Sequence, residues 1–260
     1  MVQIKTTAEI DKIAAAGLIV ARVLKEIEHM VAPGVSTGEL DEAARTLIRQ
    51  SGAVPSFLGY GQPPFPAAIC ASVDAEVVHG IPDPKRRLTV GSIVSIDVGV
   101  YLDGYHADAA RTFAVGTIEP AVARLVAVTE ACFWTALAKA QPGVRIGDLS
   151  AAVQAMAEHS GYGVVRELTG HGIGRNLHEE PDLPNFGKTG HGMRLETGMV
   201  LAMEPMINLG SRRVIMLDDG WTIITADRRP SAHYENTFAI TDGQPRVLTI
   251  LPEDMPHGIT

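Results

Sequence analysis

The sequence predicts a mixed α/β chain built twice over, with helices followed by strands in each half. Three observations predict it. Two pairs of amphipathic helical segments alternate with two sets of short apolar runs of strand length. The segment Pro33-Gly-Val-x-x-Gly-Glu-Leu40 recurs as Pro142-Gly-Val-x-x-Gly-Asp-Leu149. Further echoes follow in the same order, as expected of an internal duplication spanning roughly residues 6–115 and 119–241.

The first helix is expected from about Thr6 to Val31, with Ile10, Ile13, Gly17, Val20, Leu24 and Ile27 on one face. Thr6 and Glu9 form a capping box, and Pro33-Gly34 stops the helix. Ser36 and Glu39 cap a second helix that ends at Ser51-Gly52. Strands are expected at Ala68–Val73, Gly91–Tyr101 and Ala109–Val115. Two more helices are expected near Pro120–Ala140 and Gly147–His159, the latter ending at Ser160-Gly161, the echo of Ser51-Gly52. From Gly163 to about Leu251 the sequence reads as strands and turns. No linker separates the halves, so a single domain over residues 1–260 is expected.

Composition narrows the function. Of 260 residues, 46% are hydrophobic and 20% charged, the balance of a soluble chain with a substantial core. A net charge of −8 argues against a surface built for nucleic acid. The two cysteines, Cys70 and Cys132, form no disulfide framework or zinc-binding spacing, so a reducing compartment is the simpler expectation. The apolar stretch Ile13–Ala21 follows Glu9 and Asp11 and reads as a buried helix face, not a signal peptide. No apolar run reads as long enough to span a bilayer. The chain reads as cytoplasmic.

The echoes carry the chemistry. Gly91-Ser-Ile-Val-Ser-Ile-Asp97 matches Gly198-Met-Val-Leu-Ala-Met-Glu204, and His106-Ala-Asp108 before Thr112-Phe-Ala114 matches His233-Tyr-Glu235 before Thr237-Phe-Ala239. Asp97 therefore corresponds to Glu204, and Asp108 to Glu235. One acid among apolar strand residues is ordinarily a solvated position on an edge strand. Four at duplicated positions imply that each half supplies two carboxylates to one centre, whose charge two divalent cations would balance. His171 lies in the glycine-rich turn Thr169-Gly-His-Gly-Ile-Gly174, which can bring an imidazole close to a crowded centre. An oxygen-rich set with one imidazole suits Mn, Fe or Co at least as well as Zn. Such paired cations activate water for hydrolysis.

The successive motifs Ser95-Ile-Asp-Val-Gly99, Gly104-Tyr-His-Ala-Asp108, Gly170-His-Gly-Ile-Gly174, Met203-Glu-Pro205 and Ser231-Ala-His-Tyr-Glu235 resemble those of type I methionine aminopeptidases of the short bacterial form. The resemblance runs over nearly the whole chain. It implies the pita-bread fold, a pseudo-twofold arrangement of helices on a curved antiparallel sheet. It implies hydrolytic removal of the initiator methionine from nascent polypeptides with a small second residue. By the same resemblance Asp108 and Glu235 bridge two metal ions, Asp97 chelates one, and His171 with Glu204 binds the other. Glu204 also takes the water's proton. His79 matches the histidine at the scissile amide, and His178 the one that polarises the substrate carbonyl. Tyr60, Phe65, Cys70 and Trp221 would line the methionine pocket.

Two departures from the family pattern stand out. The stretch Gly59–Pro66 is about two residues longer than usual, and Leu177 stands before His178 where an aromatic is common. A monomer is expected, with no membrane partner and a transient ribosome contact at most. Two other readings compete: an X-Pro peptidase of the same fold, which would carry a further N-terminal domain, and a pita-bread module that binds without catalysis.

Overall fold

A computed structural model describes residues 2–255 of the chain. Its first half runs α1 (Thr7–Met30), α2 (Thr37–Gln50), β1 (Val54–Pro55), β2 (Ile69–Val73), β3 (Glu76–Val78), β4 (Ile93–Leu102) and β5 (Tyr105–Ala114). The second half opens with α3 (Pro120–Leu137) and α4 (Ile146–His159). Ten strands follow: β6 (Gly163–Val164), β7 (Thr169–Gly172), β8 (Glu179–Pro184), β9 (Val200–Met203) and β10 (Met206–Asn208), then β11 (Val214–Met216), β12 (Ile223–Thr225), β13 (Ser231–His233), β14 (Asn236–Ala239) and β15 (Arg246–Val247). A short 3-10 turn, Pro252–Asp254, comes last among the described residues.

The helix starts follow the capping chemistry in the sequence. Thr6 and Glu9 cap α1 reciprocally, and Ser36 and Glu39 do so for α2. At α4 Asp148 returns a carboxylate to the Arg145 N–H at 3.0 Å, although Arg145 offers no hydroxyl. The repeated glycines Gly38 and Gly147 also have one shared reason. A Cβ at either would lie within 2.6 Å of facing backbone, at Pro84 or Lys188.

Strand boundaries shift where the turn chemistry dictates. The run expected from Ala109 begins at Tyr105, because Asp103-Gly104, at φ 48° and 88°, makes a two-residue hairpin turn between β4 and β5. Both strands then extend over ten residues. α3 corrects a second expectation. It is 18 residues long with a mean hydropathy of 1.3, enough by length and composition to cross a bilayer. It carries Arg124 and Glu130, and it buries Leu125, Cys132, Phe133 and Leu137 in a protein core.

Every strand pair is antiparallel. One sheet runs β1-β4-β2 with β5 on β4, another β15-β14-β9-β7-β8, and two three-stranded sheets run β13-β10-β6 and β11-β12-β3. Helices α1 and α2 bury Ile13, Val20, Ile27, Leu40 and Ile48 against β2, β4 and β5. α3 and α4 bury Phe133, Leu149 and Val153 against β9, β10 and β14.

The two cores meet along a seam where β5 runs beside residues 233–237. Ala110 and Glu235 exchange backbone hydrogen bonds, N–H to C=O, at 3.3 and 2.9 Å. On one side the Thr237 hydroxyl donates to the Asp108 carbonyl at 2.8 Å and accepts from the Asp108 N–H at 3.0 Å. On the other side Thr112 does the same to His233, at 2.8 and 2.9 Å. Thr112 and Thr237 are repeat equivalents, so each half clasps the other with the same residue.

Replacing Thr237 by Val keeps the side chain's volume and removes a buried donor and acceptor at once. The metal-free protein should lose about 2–3 kcal/mol in urea denaturation, whereas Thr237→Ser should lose less. Equal losses from the two variants would remove the hydroxyl's role in the seam.

Candidate metal centre

The seam places two carboxylates, and the adjoining strands supply the rest. Asp97 lies on β4 opposite Cys70 of β2 and Ala110 of β5, and Asp108 lies opposite Gly99, one diagonal step away on the same face. In the second half, β9 and β10 pair with β14 and β13 in a single register that continues through the gap between them. Glu204 and Glu235 occupy that gap directly opposite each other. Asn185 steadies the first of them by donating its amide to the Glu204 carbonyl at 2.8 Å. His171, on β7, pairs with Ala202 of β9. A Cβ at neighbouring Gly170 would lie 2.5 Å from the Ala202 carbonyl, so glycine is required for β7 to approach this closely.

Donor atoms of Asp108, His171 and Glu235 all lie within 4.8 Å of one another. His171 Nε2 is 3.9 Å from Glu204 Oε1. His171 Nδ1 lies 2.9 Å from the Gly172 carbonyl. A carbonyl only accepts, so Nδ1 carries the proton and Nε2 is left as a lone-pair ligand.

The electrostatics are those of a cation site. Burial pushes Glu204 up to about 8 and Asp97 to about 6. Asp108 and Glu235 are driven well above the ordinary carboxylate range by burial and then by repulsion from neighbouring acids. Asp97 Oδ1, Asp108 Oδ1 and Glu235 Oε1 are buried without a hydrogen-bond partner. Buried carboxylate oxygens that lack donors are what a hard or borderline divalent cation satisfies. The donor set therefore fits a metal. Burial drops His171 to about 3 and His79 to about 4, and lowers His178 as well, so these imidazoles are neutral at physiological pH.

All eleven residues expected at the site line one cavity of about 240 Å³. The acids and His171 form one wall. Phe65, Cys70 and Trp221 supply the apolar lining together with Phe57 and Leu177. Phe57 was not anticipated; a Cβ on Gly99 would lie 2.7 Å from its ring, so that glycine makes its room. The rim stretch is a closed loop. Gly59 N–H bonds the Phe65 carbonyl and Phe65 N–H the Tyr60 carbonyl, both at 2.8 Å, while Trp221 Nε1 donates to Pro63 at 3.0 Å. His79 takes a left-handed backbone, φ 59°, with its ring edge-on to Trp221 at 5.9 Å. Cys70 and Cys132 are both free and buried.

His233 was visible only as an echo. Its Nε2 lies 3.6 Å from Glu204 Oε2 and 3.9 Å from Glu235 Oε2. Its repeat partner His106 sits elsewhere, with Nδ1 2.9 Å from the Ser56 hydroxyl. The duplication was the available signal for His233, and it did not distinguish the two histidines.

Comparison with known proteins agrees with this geometry. Residues 11–242 match the model of metallopeptidase family M24. A methionine aminopeptidase of Clostridium perfringens is 48% identical over 252 residues, 96% of this chain and 100% of that protein. The crystal structure of methionine aminopeptidase from Thermotoga maritima superposes with a TM-score of 0.94 at 39% identity, covering 96% of this chain and 100% of that one. A prolidase from Pyrococcus furiosus reaches a TM-score of 0.75 at 23% identity, with 95% of this chain and 65% of that chain covered, which is a likeness of fold alone. The chain belongs to metallopeptidase family M24, among its methionine aminopeptidases.

Proposed function

We propose that the chain hydrolyses the peptide bond after an N-terminal methionine, taking the initiator methionine from nascent polypeptides whose second residue is small. One observation carries this reading: the acid-rich wall and the apolar recess belong to the same cavity of about 240 Å³. An unbranched thioether side chain suits a recess walled by Phe57, Phe65, Cys70, Leu177 and Trp221.

Asp97, Asp108, His171, Glu204 and Glu235 would hold a pair of divalent cations. Bound there, the cations would supply a water of lowered pKa and a Lewis-acid hold on the substrate's oxygen. Glu204, which lines the cavity with its Oε1 3.9 Å from His171 Nε2, would take the proton that an attacking water loses. His79, neutral and fixed by its turn, contacts the scissile amide. His178, neutral and beside His171, donates a hydrogen bond to the oxygen that gains charge. The apolar recess holds the methionine side chain and thereby aligns the bond.

Three outcomes test the proposal. Metal-depleted protein should release no methionine from Met-Ala-Ser and recover on adding Mn²⁺, while X-Pro peptides remain uncut. Cleavage of X-Pro but not Met-Ala would sink the reading. Glu204→Gln should lower kcat by at least about a hundredfold, the scale of a general base, and calorimetry should show one weakened metal equivalent; near-native turnover would remove Glu204 from its role.

The third outcome concerns pH. Glu204 rises from 4.5 to about 8 on folding and Asp97 from 3.8 to about 6. The folded metal-free protein therefore holds protons that the unfolded chain has released. Stability from these groups is greatest below about pH 4 and falls as pH rises through about 8. The urea midpoint of the metal-free protein should drop between about pH 5 and pH 8, and Mn²⁺ should raise it more at the higher pH. A midpoint insensitive to Mn²⁺ at both pH values would count against a cation site.

A further inference from the structure

His171 and His178 stand side by side, with ring centroids 4.2 Å apart, yet the cavity asks opposite things of them. A ligand position needs an imidazole nitrogen with a free lone pair. A group facing a developing oxyanion needs an N–H. A neutral imidazole carries one ring proton, and the partner of Nδ1 decides which nitrogen has it.

For His171 that partner is the Gly172 carbonyl, which forces the proton onto Nδ1. For His178 it is a hydroxyl. Tyr60 Oη lies 2.6 Å from His178 Nδ1, and the two rings tilt against each other at 5.2 Å. A phenol is a strong donor and a poor acceptor, because its lone pairs are drawn into the ring, whereas an unprotonated imidazole nitrogen is a strong acceptor. The favoured arrangement is O–H donating to Nδ1. That leaves the proton of His178 on Nε2, the nitrogen not engaged by Tyr60.

We propose that Tyr60 is a positioning residue whose hydroxyl holds His178 in the Nε2–H tautomer, opposite to that of His171, so that one imidazole of the pair binds metal and its neighbour donates a hydrogen bond. In the other tautomer His178 would turn a lone pair toward the substrate oxygen and compete with His171 for cations. The long rim loop is built for the purpose. Tyr60 N–H bonds the Phe57 carbonyl at 2.9 Å, and its own carbonyl accepts from Phe65. Gly61, at φ 72°, lies so close to Trp221 that a Cβ would come within 2.5 Å of the indole. The backbone of a half-exposed tyrosine is thus fixed on both sides, with its ring against His178 and its hydroxyl on Nδ1.

The inference rests on the aminopeptidase reading for His178's use, but not for its tautomer. Tyr60→Phe keeps the ring and deletes the hydroxyl. With Met-Ala-Ser and Mn²⁺, kcat should fall about fivefold to tenfold, the factor one neutral hydrogen bond sustains, while KM stays within about twofold. In a His178→Ala background the same change should cost nothing further. Nitrogen-15 spectra of the histidine rings in the metal-free protein should show a single Nε2–H form for His178, becoming a tautomer mixture in Tyr60→Phe. An unchanged kcat, a full additional loss in the His178→Ala background, or an Nε2–H pattern that persists in Tyr60→Phe would each overturn the proposal. If the wild type released no methionine, the aminopeptidase reading would fail, while the ring spectra would still decide the tautomer.

Discussion

The backbone exchange between Ala110 and Glu235 is the contact on which the centre depends. It joins a strand of the first half to a strand of the second at the point where the acids converge. A carboxylate cluster in a protein interior repels itself, so its members must be held by groups that repulsion cannot displace. Backbone pairing does this, and the threonine clasps at Asp108 and His233 extend it in both directions without adding charge. Arg111 reinforces the same line from behind, donating to the Glu235 carbonyl at 2.6 Å and stacking on Tyr234 at 4.2 Å. Its guanidinium donates to the Ala110 and Glu235 carbonyls and to Asn236 Oδ1, not to the carboxylates.

The duplication explains why two halves supply two acids each, and its imperfection explains why the acids are not equivalent. Asp97 and Asp108 are diagonal across their ladder, while Glu204 and Glu235 are directly opposite. Asp108 and Glu235 therefore stand two residues apart relative to the repeat. His171 adds an imidazole on the second side only, and His233 closes the back of the same side while His106 turns away to Ser56. A nearly symmetric frame thus presents an oxygen-only corner at Asp97 and a mixed oxygen and nitrogen corner at Glu204. Two cations in such a centre would differ in ligand chemistry.

Much of this was legible in the sequence because it depends on local or duplicated signals. The capping boxes at Thr6 and Ser36, the Pro-Gly stops and the paired acids each declare themselves within a few residues or by repetition. The two-residue displacement of the second acid is legible too, in spacing: four positions separate Asp108 from Thr112 but two separate Glu235 from Thr237. Thr112 pairs with Ser95 and Thr237 with Ala202, which are repeat equivalents, so only the acids are displaced, and by two residues, which keeps their facing. Phe57 was hidden because its reason is the missing side chain at Gly99, 42 positions away in the chain and adjacent in space. Tyr60 was read as part of a pocket wall, and it does line the cavity. Its second contact, through the hydroxyl to His178, requires knowing how the rim loop folds back.

The neutrality of the histidines follows from the same burial that strains the acids, and it resolves an apparent conflict. Four carboxylates should raise a neighbouring imidazole's proton affinity, yet His171, His79 and His178 all fall below the ordinary histidine value. Desolvation is the largest cause in each case, and it acts on every group regardless of sign. Without a cation the cluster relieves itself by protonating acids, which cancels the field that would otherwise charge the histidines. Cations bound there would favour ionised acids, and their positive charge would disfavour protonated imidazoles. In both states the rings therefore remain uncharged, and the placement of one proton per ring becomes the property that separates a ligand from a donor. That placement is set from outside the cluster, by a peptide carbonyl for one ring and a loop tyrosine for the other.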